Sequence, residues 1–168
     1  MSIDKAKLRK NLKPIGNKEE KDQKIIKYLE FFLEDKKVAL YMALADEPNL
    51  NKLLNEDIYL PKTKKTISFY KNTGEFIKGR FGVLEPVSKE KIEINDLDLI
   101  VIPGLAYNKK GYRLGRGKGY YDRALENFSG LKIGLIYDDL LLDDEFQEDH
   151  DLKVDILITE KRVIKFEV

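Results

Sequence analysis

Four mostly apolar runs, each flanked by charge, constrain this 168-residue chain more than any other feature: Val38–Leu44, Leu97–Ile102, Lys132–Tyr137 and Val154–Thr159. A sheet with one wet face alternates apolar and polar side chains, so largely unbroken apolar stretches imply strands covered on both faces, as a parallel sheet requires. Between the second and third runs lie a glycine-rich loop and a helical stretch over Gly119–Asn127. Strand, helix and strand in that order make a βαβ unit with parallel strands.

The spacing also predicts a longer helix over Asn17–Lys37. Ile25, Ile26, Leu29, Phe32 and Leu33 recur on one face, and Asn17 with Glu20 makes a capping-box-like start. A shorter helix over Ile3–Leu12 is expected to stop near Pro14. The middle of the chain differs, because Ile58–Leu60, Thr66–Tyr70 and Glu75–Ile77 are short and Asn72-Thr-Gly-Glu75 is a turn signal. An antiparallel hairpin appended to the main sheet is expected there. Arg162–Val168 is expected to close the sheet as an edge strand. With no repeat, low-complexity tract or linker, residues 1–168 are expected to form one α/β domain.

Composition narrows the chemistry. The absence of cysteine removes disulfides, thiolate metal sites and Cys nucleophiles, and the single histidine, His150, leaves no His-rich metal site. The first 16 residues are charged throughout, so no signal peptide is expected. No apolar run approaches the roughly 20 residues that cross a bilayer, so a soluble, cytoplasmic protein is expected. Lys and Arg number 31 against 30 Asp and Glu, a net charge of +1. That balance argues against an extended polyanion or an anionic membrane as partner.

The local charge is another matter. Residues 109–123 carry six cations (Lys109, Lys110, Arg113, Arg116, Lys118, Arg123) and one anion, Asp122, a net +5 over 15 residues. Gly115, Gly117 and Gly119 alternate with Arg116 and Lys118, so backbone amides can turn inward while the cations add charge. The loop follows a buried strand ending at Pro103-Gly104, and the carboxyl end of a parallel strand is where open α/β sheets bind ligands. The stretch fits neither G-x-x-x-x-G-K-[ST] nor G-x-G-x-x-G. On composition alone it reads equally as a polyphosphate cradle and as a mobile basic loop of the kind that also binds RNA.

Several acids and bases accompany this loop. Asp122 falls in the first turn of the following helix, where it either favours the helix dipole or offers Mg²⁺ a carboxylate beside phosphate. Asp155 begins another buried strand and is a second, weaker candidate. Lys5 and Arg9, one helical turn apart, share a face that reads first as solvated. Asp46-Glu47-Pro48 follows the first apolar run, and either acid could cap a helix over Pro48–Leu54. Asp138–Asp151, with eight carboxylates in 14 residues, reads as a solvated loop or helix, and His150 beside it as a surface residue.

Taken together, these residues resemble the 5-formyltetrahydrofolate cyclo-ligases, also called methenyltetrahydrofolate synthetases. Pro103-Gly-Leu-Ala-Tyr107 followed by Gly111-Tyr-Arg-Leu-Gly-Arg-Gly-Lys-Gly-Tyr-Tyr-Asp-Arg123 is similar to the family signature, with support from Lys5-Ala-Lys-Leu-Arg9, Asp46-Glu47 and Lys153-Val-Asp155. The resemblance implies a Rossmann-like three-layer α/β sandwich. It also implies Mg²⁺-dependent use of ATP to convert 5-formyltetrahydrofolate to 5,10-methenyltetrahydrofolate; a monomer is expected, with small-molecule substrates and no nucleic-acid or membrane partner. By the same resemblance Lys5, Arg9, Arg113, Leu114, Gly115, Arg116, Gly117, Lys118, Gly119, Tyr120 and Tyr121 contact ATP. Arg116, Lys118 and Tyr121 are the catalytic candidates, and Asp122 and Asp155 hold magnesium. Met42, Glu47, Gly117, Lys118, Gly119 and Tyr120 contact the folate, with Phe81 and Glu85 as further candidates. The sequence departs from the family at Asn108, where Asp is frequent. The competing reading, a nucleic-acid-binding module, uses Lys109–Arg123 as a basic finger.

Overall fold

A computed structural model describes residues 3–166. The chain opens with α1 (Lys5–Lys10) and α2 (Lys18–Glu30). Six short strands follow: β1 (Val38–Ala39), β2 (Tyr59–Thr63), β3 (Ile67–Lys71), β4 (Phe76–Lys78), β5 (Leu84–Pro86) and β6 (Lys91–Ile92). Then come β7 (Leu99–Ile102), β8 (Ala106–Asn108), β9 (Arg113–Leu114) and the five-residue helix α3 (Tyr120–Ala124). The chain ends through β10 (Leu131–Leu135), β11 (Leu141–Leu142), β12 (Ile156–Ile158) and β13 (Val163–Lys165).

Eight strands form the main sheet in the order β13-β12-β10-β7-β1-β2-β3-β6. Its five central strands, β12 to β2, pair in parallel, while β13 pairs antiparallel with β12, β3 with β2, and β6 with β3. Leu99, Ile100, Val101 and Ile102 are all fully buried in sequence, so both faces of the sheet are covered, as the apolar runs require. The βαβ unit forms as expected, with β7 and β10 parallel neighbours on either side of α3. Among the described residues no helix is long and apolar enough to cross a membrane.

The sheet contains one reversal that matters for the site. From β1 the chain moves to β2 on one side, whereas β7 moves through β10 to β12 on the other. The segments after β1 and β7 therefore part at the carboxyl edge and leave a crevice between them, the usual ligand position in such sheets. Only Val38 and Ala39 pair in the β1–β7 ladder. The rest of the predicted strand stays extended, with Leu40 N–H donating to Tyr59 O at 3.0 Å, and Tyr41 and Met42 turn toward the crevice.

Four expectations need correction. The Asn17–Lys37 helix ends at Glu30, and Phe32 and Leu33 are then reached by tighter i→i−3 bonds to Leu29 and Glu30. No capping box forms, because Asn17 adopts a left-handed φ of 53° and its side chain makes no cap hydrogen bond. The antiparallel hairpin is β2–β3, turned at Lys64–Thr66 and integral to the main sheet. The Asn72–Glu75 turn exists, with Asn72 Oδ1 accepting from Gly74 N–H, but it leads into the separate β4–β5 ribbon. Over Pro48–Leu54 only one 3₁₀ turn forms, Asn51–Leu53. The expected edge strand is β13; Glu167 and Val168 lie outside the described residues.

The core is packed to the point where β10 tolerates no side chain at Gly134. A Cβ there would stand 2.6 Å from the fully buried Tyr107 ring, whose hydroxyl donates to Ile102 O at 3.0 Å. Gly134→Ala should therefore cost about 1–3 kcal/mol through overpacking. Urea unfolding checks this: the midpoint falls while the slope is unchanged.

Candidate functional site

Two chambers flank the glycine-basic loop. The first, 620 Å³, is lined by seven Lys or Arg (Lys5, Arg9, Arg113, Lys118, Arg123, Lys132, Lys153) and four Asp or Glu (Asp122, Glu126, Asp149, Asp151). Leu114, Gly115, Gly117 and Gly119 contribute backbone to the same wall. The second, 280 Å³, is more apolar and is lined by Tyr41, Met42, Leu44, Pro61, Phe81 and Tyr121, with Glu47 and Glu85 as its acids. Arg113, Lys118 and Gly119 line both.

This shared wall is the glycine-basic loop, bent by Gly117 and Gly119 at φ of 98° and 70°, values that favour glycine. Arg9 Nε donates to Gly115 O at 2.6 Å, and Arg123 Nη1 donates to Lys118 O at 2.9 Å. Arg113 is fixed beneath the loop, its Nε donating to Pro103 O at 2.5 Å and its guanidinium 5.0 Å from the Tyr121 ring centroid. Tyr120 continues the aromatic wall, its ring 6.1 Å from that of Phe81, with the Lys118 ammonium 5.8 Å from the Phe81 ring.

The basic chamber is completed from distant parts of the chain. Tyr112 and Lys153 form an antiparallel bridge, flanked by Arg113 N–H to Leu152 O and Val154 N–H to Gly111 O. The end of the acidic stretch thereby lies against the loop. Leu152 N–H donates to Asp122 Oδ1 at 3.0 Å, and Lys5 Nζ meets the buried Asp151 Oδ2 at 2.5 Å. Lys5 and Arg9 are thus not a solvated face; α1 closes one side of the chamber.

The candidate magnesium carboxylates separate. Asp122 lines the basic chamber, whereas Asp155 does not: its Oδ2 accepts from Lys132 N–H at 2.8 Å, along the edge of β10. Asp151, in a stretch that the sequence presents as solvated, lines the basic chamber with Asp122, and the next residue, Leu152, donates its N–H to Asp122. The signal was the antiparallel approach of 111–114 to 152–154, invisible in spacing. Two carboxylates beside a polyphosphate make a suitable donor set for a hard divalent cation. Among the described residues no three His, Cys, Asp or Glu gather to hold a metal by themselves.

In the second chamber Glu47 is the distinctive group. Its Oε1 accepts from Leu44 N–H at 2.8 Å, and its Oε2 lies 3.6 Å from Arg116 Nη2. Arg116 lines this chamber and not the basic one, and bonds to Asp46 Oδ1 at 2.7 Å. Burial raises the Glu47 carboxyl above its ordinary 4.5, opposed by the Leu44 N–H and by Arg116. The Tyr41 hydroxyl beside it is pushed well up, by burial first and by Glu47 second. Glu85 accepts from Thr63 N–H at 2.7 Å, which ties the β4–β5 ribbon to the chamber rim. Asn108 lies away from both chambers; its side chain bonds Asp144 O, Gln147 Oε1 and two loop amides.

The sequence matches the 5-formyltetrahydrofolate cyclo-ligase family over residues 4–160. The chain belongs to this family. It is 34% identical over 119 residues to the 5-formyltetrahydrofolate cyclo-ligase of Haemophilus influenzae, covering 61% of this chain and 64% of that protein. Against the 5-formyltetrahydrofolate cyclo-ligase of Mycolicibacterium smegmatis it is 37% identical over 95 residues, 54% of this chain and 49% of the relative. The matched segments thus span about half to two thirds of these relatives. The NMR structure of 5,10-methenyltetrahydrofolate synthetase from Aquifex aeolicus superposes with a TM-score of 0.82 at 36% identity, covering 98% of this chain and 93% of that one.

Because Glu47 has a raised carboxyl pKa in the folded chain, its charge opposes folding at neutral pH. The folded state gains from Glu47 protonation below 4.5 and loses that gain as pH rises through the raised value. Glu47→Gln should therefore raise the thermal midpoint at pH 7 to 8, with the advantage fading as the pH falls and gone below 4.5. Paired melting curves across pH check it.

Proposed function

We propose that this chain binds MgATP in the basic chamber and 5-formyltetrahydrofolate in the apolar one, and cyclises the folate to 5,10-methenyltetrahydrofolate with release of ADP and phosphate. The observation that carries this reading is the shared wall: Arg113, Lys118 and Gly119 face both chambers, so a γ-phosphoryl group in one would lie beside an acceptor in the other. Family membership supplies the substrate class.

The chemistry asks for such a wall. An N-formyl carbon is a poor electrophile because the nitrogen lone pair delocalises into the carbonyl, and its oxygen is also a poor leaving group. Transfer of the γ-phosphoryl to the formyl oxygen breaks the β–γ phosphoanhydride and gives an imidate phosphate and ADP. N10 then attacks the activated carbon, the C–O bond breaks, and phosphate leaves as the methenyl bridge forms with loss of the N10 proton. Phosphoryl transfer needs alignment and charge neutralisation more than covalent help. Lys118 and Arg113 supply positive charge at the boundary, and the amides near Gly117 and Gly119 can cradle phosphate oxygens. Lys5 and Arg9 hold the polyphosphate from the α1 side. Asp122 and Asp151 would hold magnesium, whose charge would offset that of the phosphates. Glu47 would accept hydrogen bonds from the pterin amino and ring N–H groups. Met42, Tyr120 and Tyr121 form the surface against which the ring system packs.

The basic-finger reading has less support. Lys109 pairs with Asp143 at 2.6 Å, Lys110 pairs with Glu145, and Arg113, Arg116 and Lys118 line concave chambers. Turnover is read as the near-ultraviolet absorbance of the methenyl product. Lys118→Ala and Asp122→Ala should each lower it by about 10²-fold or more while leaving the fold intact. An ATP-independent signal, or near-normal rates in both variants, contradicts the assignment. In magnesium activation curves, Asp151→Ala should need more Mg²⁺ than the parent, whereas Asp155→Ala should shift stability and leave the magnesium requirement in place.

A further inference from the structure

We infer that Asp46 is a positioning residue: it holds the Arg116 guanidinium away from Glu47, leaving the second Glu47 oxygen available to an N–H donor of the substrate. This rests on the folate reading of the apolar chamber and deepens it. Arg116 Nη2 bonds to Asp46 Oδ1 at 2.7 Å while standing 3.6 Å from Glu47 Oε2, so one cation is shared unequally between two adjacent carboxylates. The more exposed acid wins. The Asp46 side chain is 56% exposed and that of Glu47 only 6%, and the described structure gives the Asp46 carboxylate a single hydrogen-bond donor, Arg116.

The asymmetry matters because the two pairs differ in strength. An exposed ion pair is weak and screened, whereas a guanidinium on a desolvated carboxylate makes a strong, charge-assisted contact. Without a competitor, Arg116 would settle on Glu47. Glu47 Oε1 already accepts from Leu44 N–H, so Oε2 is the oxygen left for a ligand. A guanidinium there would occupy it and place a donor where the substrate also presents donors. Asp46 prevents this at little cost in stability. The bond also ties the loop at 115–119 to the turn at 45–47, while Arg9 holds the same loop at Gly115 O.

The test compares the parent with Asp46→Asn and Asp46→Glu, measuring 5-formyltetrahydrofolate and ATP binding separately by calorimetry. Asp46→Asn should weaken folate binding about tenfold, the value of one charge-assisted hydrogen bond near 1.4 kcal/mol, with ATP affinity unchanged and KM raised more than kcat falls. Asp46→Glu should restore folate affinity. Unchanged folate binding in Asp46→Asn overturns the inference. So does an equal loss of ATP and folate binding with a lowered thermal midpoint, and so does a Glu variant as impaired as the Asn one. A second readout needs no folate: carbon-13 titration of the Glu47 carboxyl. Asp46→Asn should lower its titration point, and the shift should be several-fold smaller in an Arg116→Gln background. Equal shifts in both backgrounds overturn the inference even if the parent binds no folate, an outcome that would by itself defeat only the folate reading.

Discussion

β1 and β7 are parallel neighbours whose chains depart in opposite directions across the sheet, toward β2 on one side and β10 on the other. The candidate site hangs on this divergence. With no strand able to fill the gap at the carboxyl edge, the segment carrying Asp46 and Glu47 and the loop carrying Arg113 to Tyr121 face each other across open space. Arg116 bonds to Asp46 across this space, while Arg113 to Pro103 O and Arg9 to Gly115 O tie the loop to the end of β7 and to α1. The apolar ladder beneath supplies the stability that lets such a charged edge persist.

Charge in this protein is arranged by place. A net +1 over the whole chain coexists with a chamber lined by seven basic and four acidic residues. The excess is concentrated where a compact polyanion would lie, and the acids interleaved with it are specific. Within the chamber Asp151 holds Lys5 and Asp122 takes the Leu152 amide; outside it, Asp46 takes Arg116.

Much of this was legible in the sequence. The buried parallel strands, the βαβ unit and the loop ending at Asp122 were all visible as local pattern, because burial and turn geometry leave marks at short range. The pairing of Asp122 with the 151–152 segment was not. It depends on an antiparallel approach between residues some forty positions apart, and nothing in the composition of Asp138–Asp151 distinguishes Asp151 from its exposed neighbours. Asp155 stands at a strand start, as the sequence suggests, yet its carboxylate accepts the Lys132 N–H of β10. The Asn72–Glu75 turn forms where its residues predict, yet it leads into the β4–β5 ribbon, since a turn signal does not say which sheet its strands join.

What the sequence by itself determined is the set of local preferences: which runs must be buried, where glycine permits a left-handed bend, and where positive charge accumulates. The tertiary structure decided which charges meet. Arg116 is one of six cations in its loop, but only the folded chain places it between Asp46 and Glu47 and away from the basic chamber. Ion pairing depends on separations of a few ångströms between segments remote in sequence, and these are set by the register and divergence of β1 and β7.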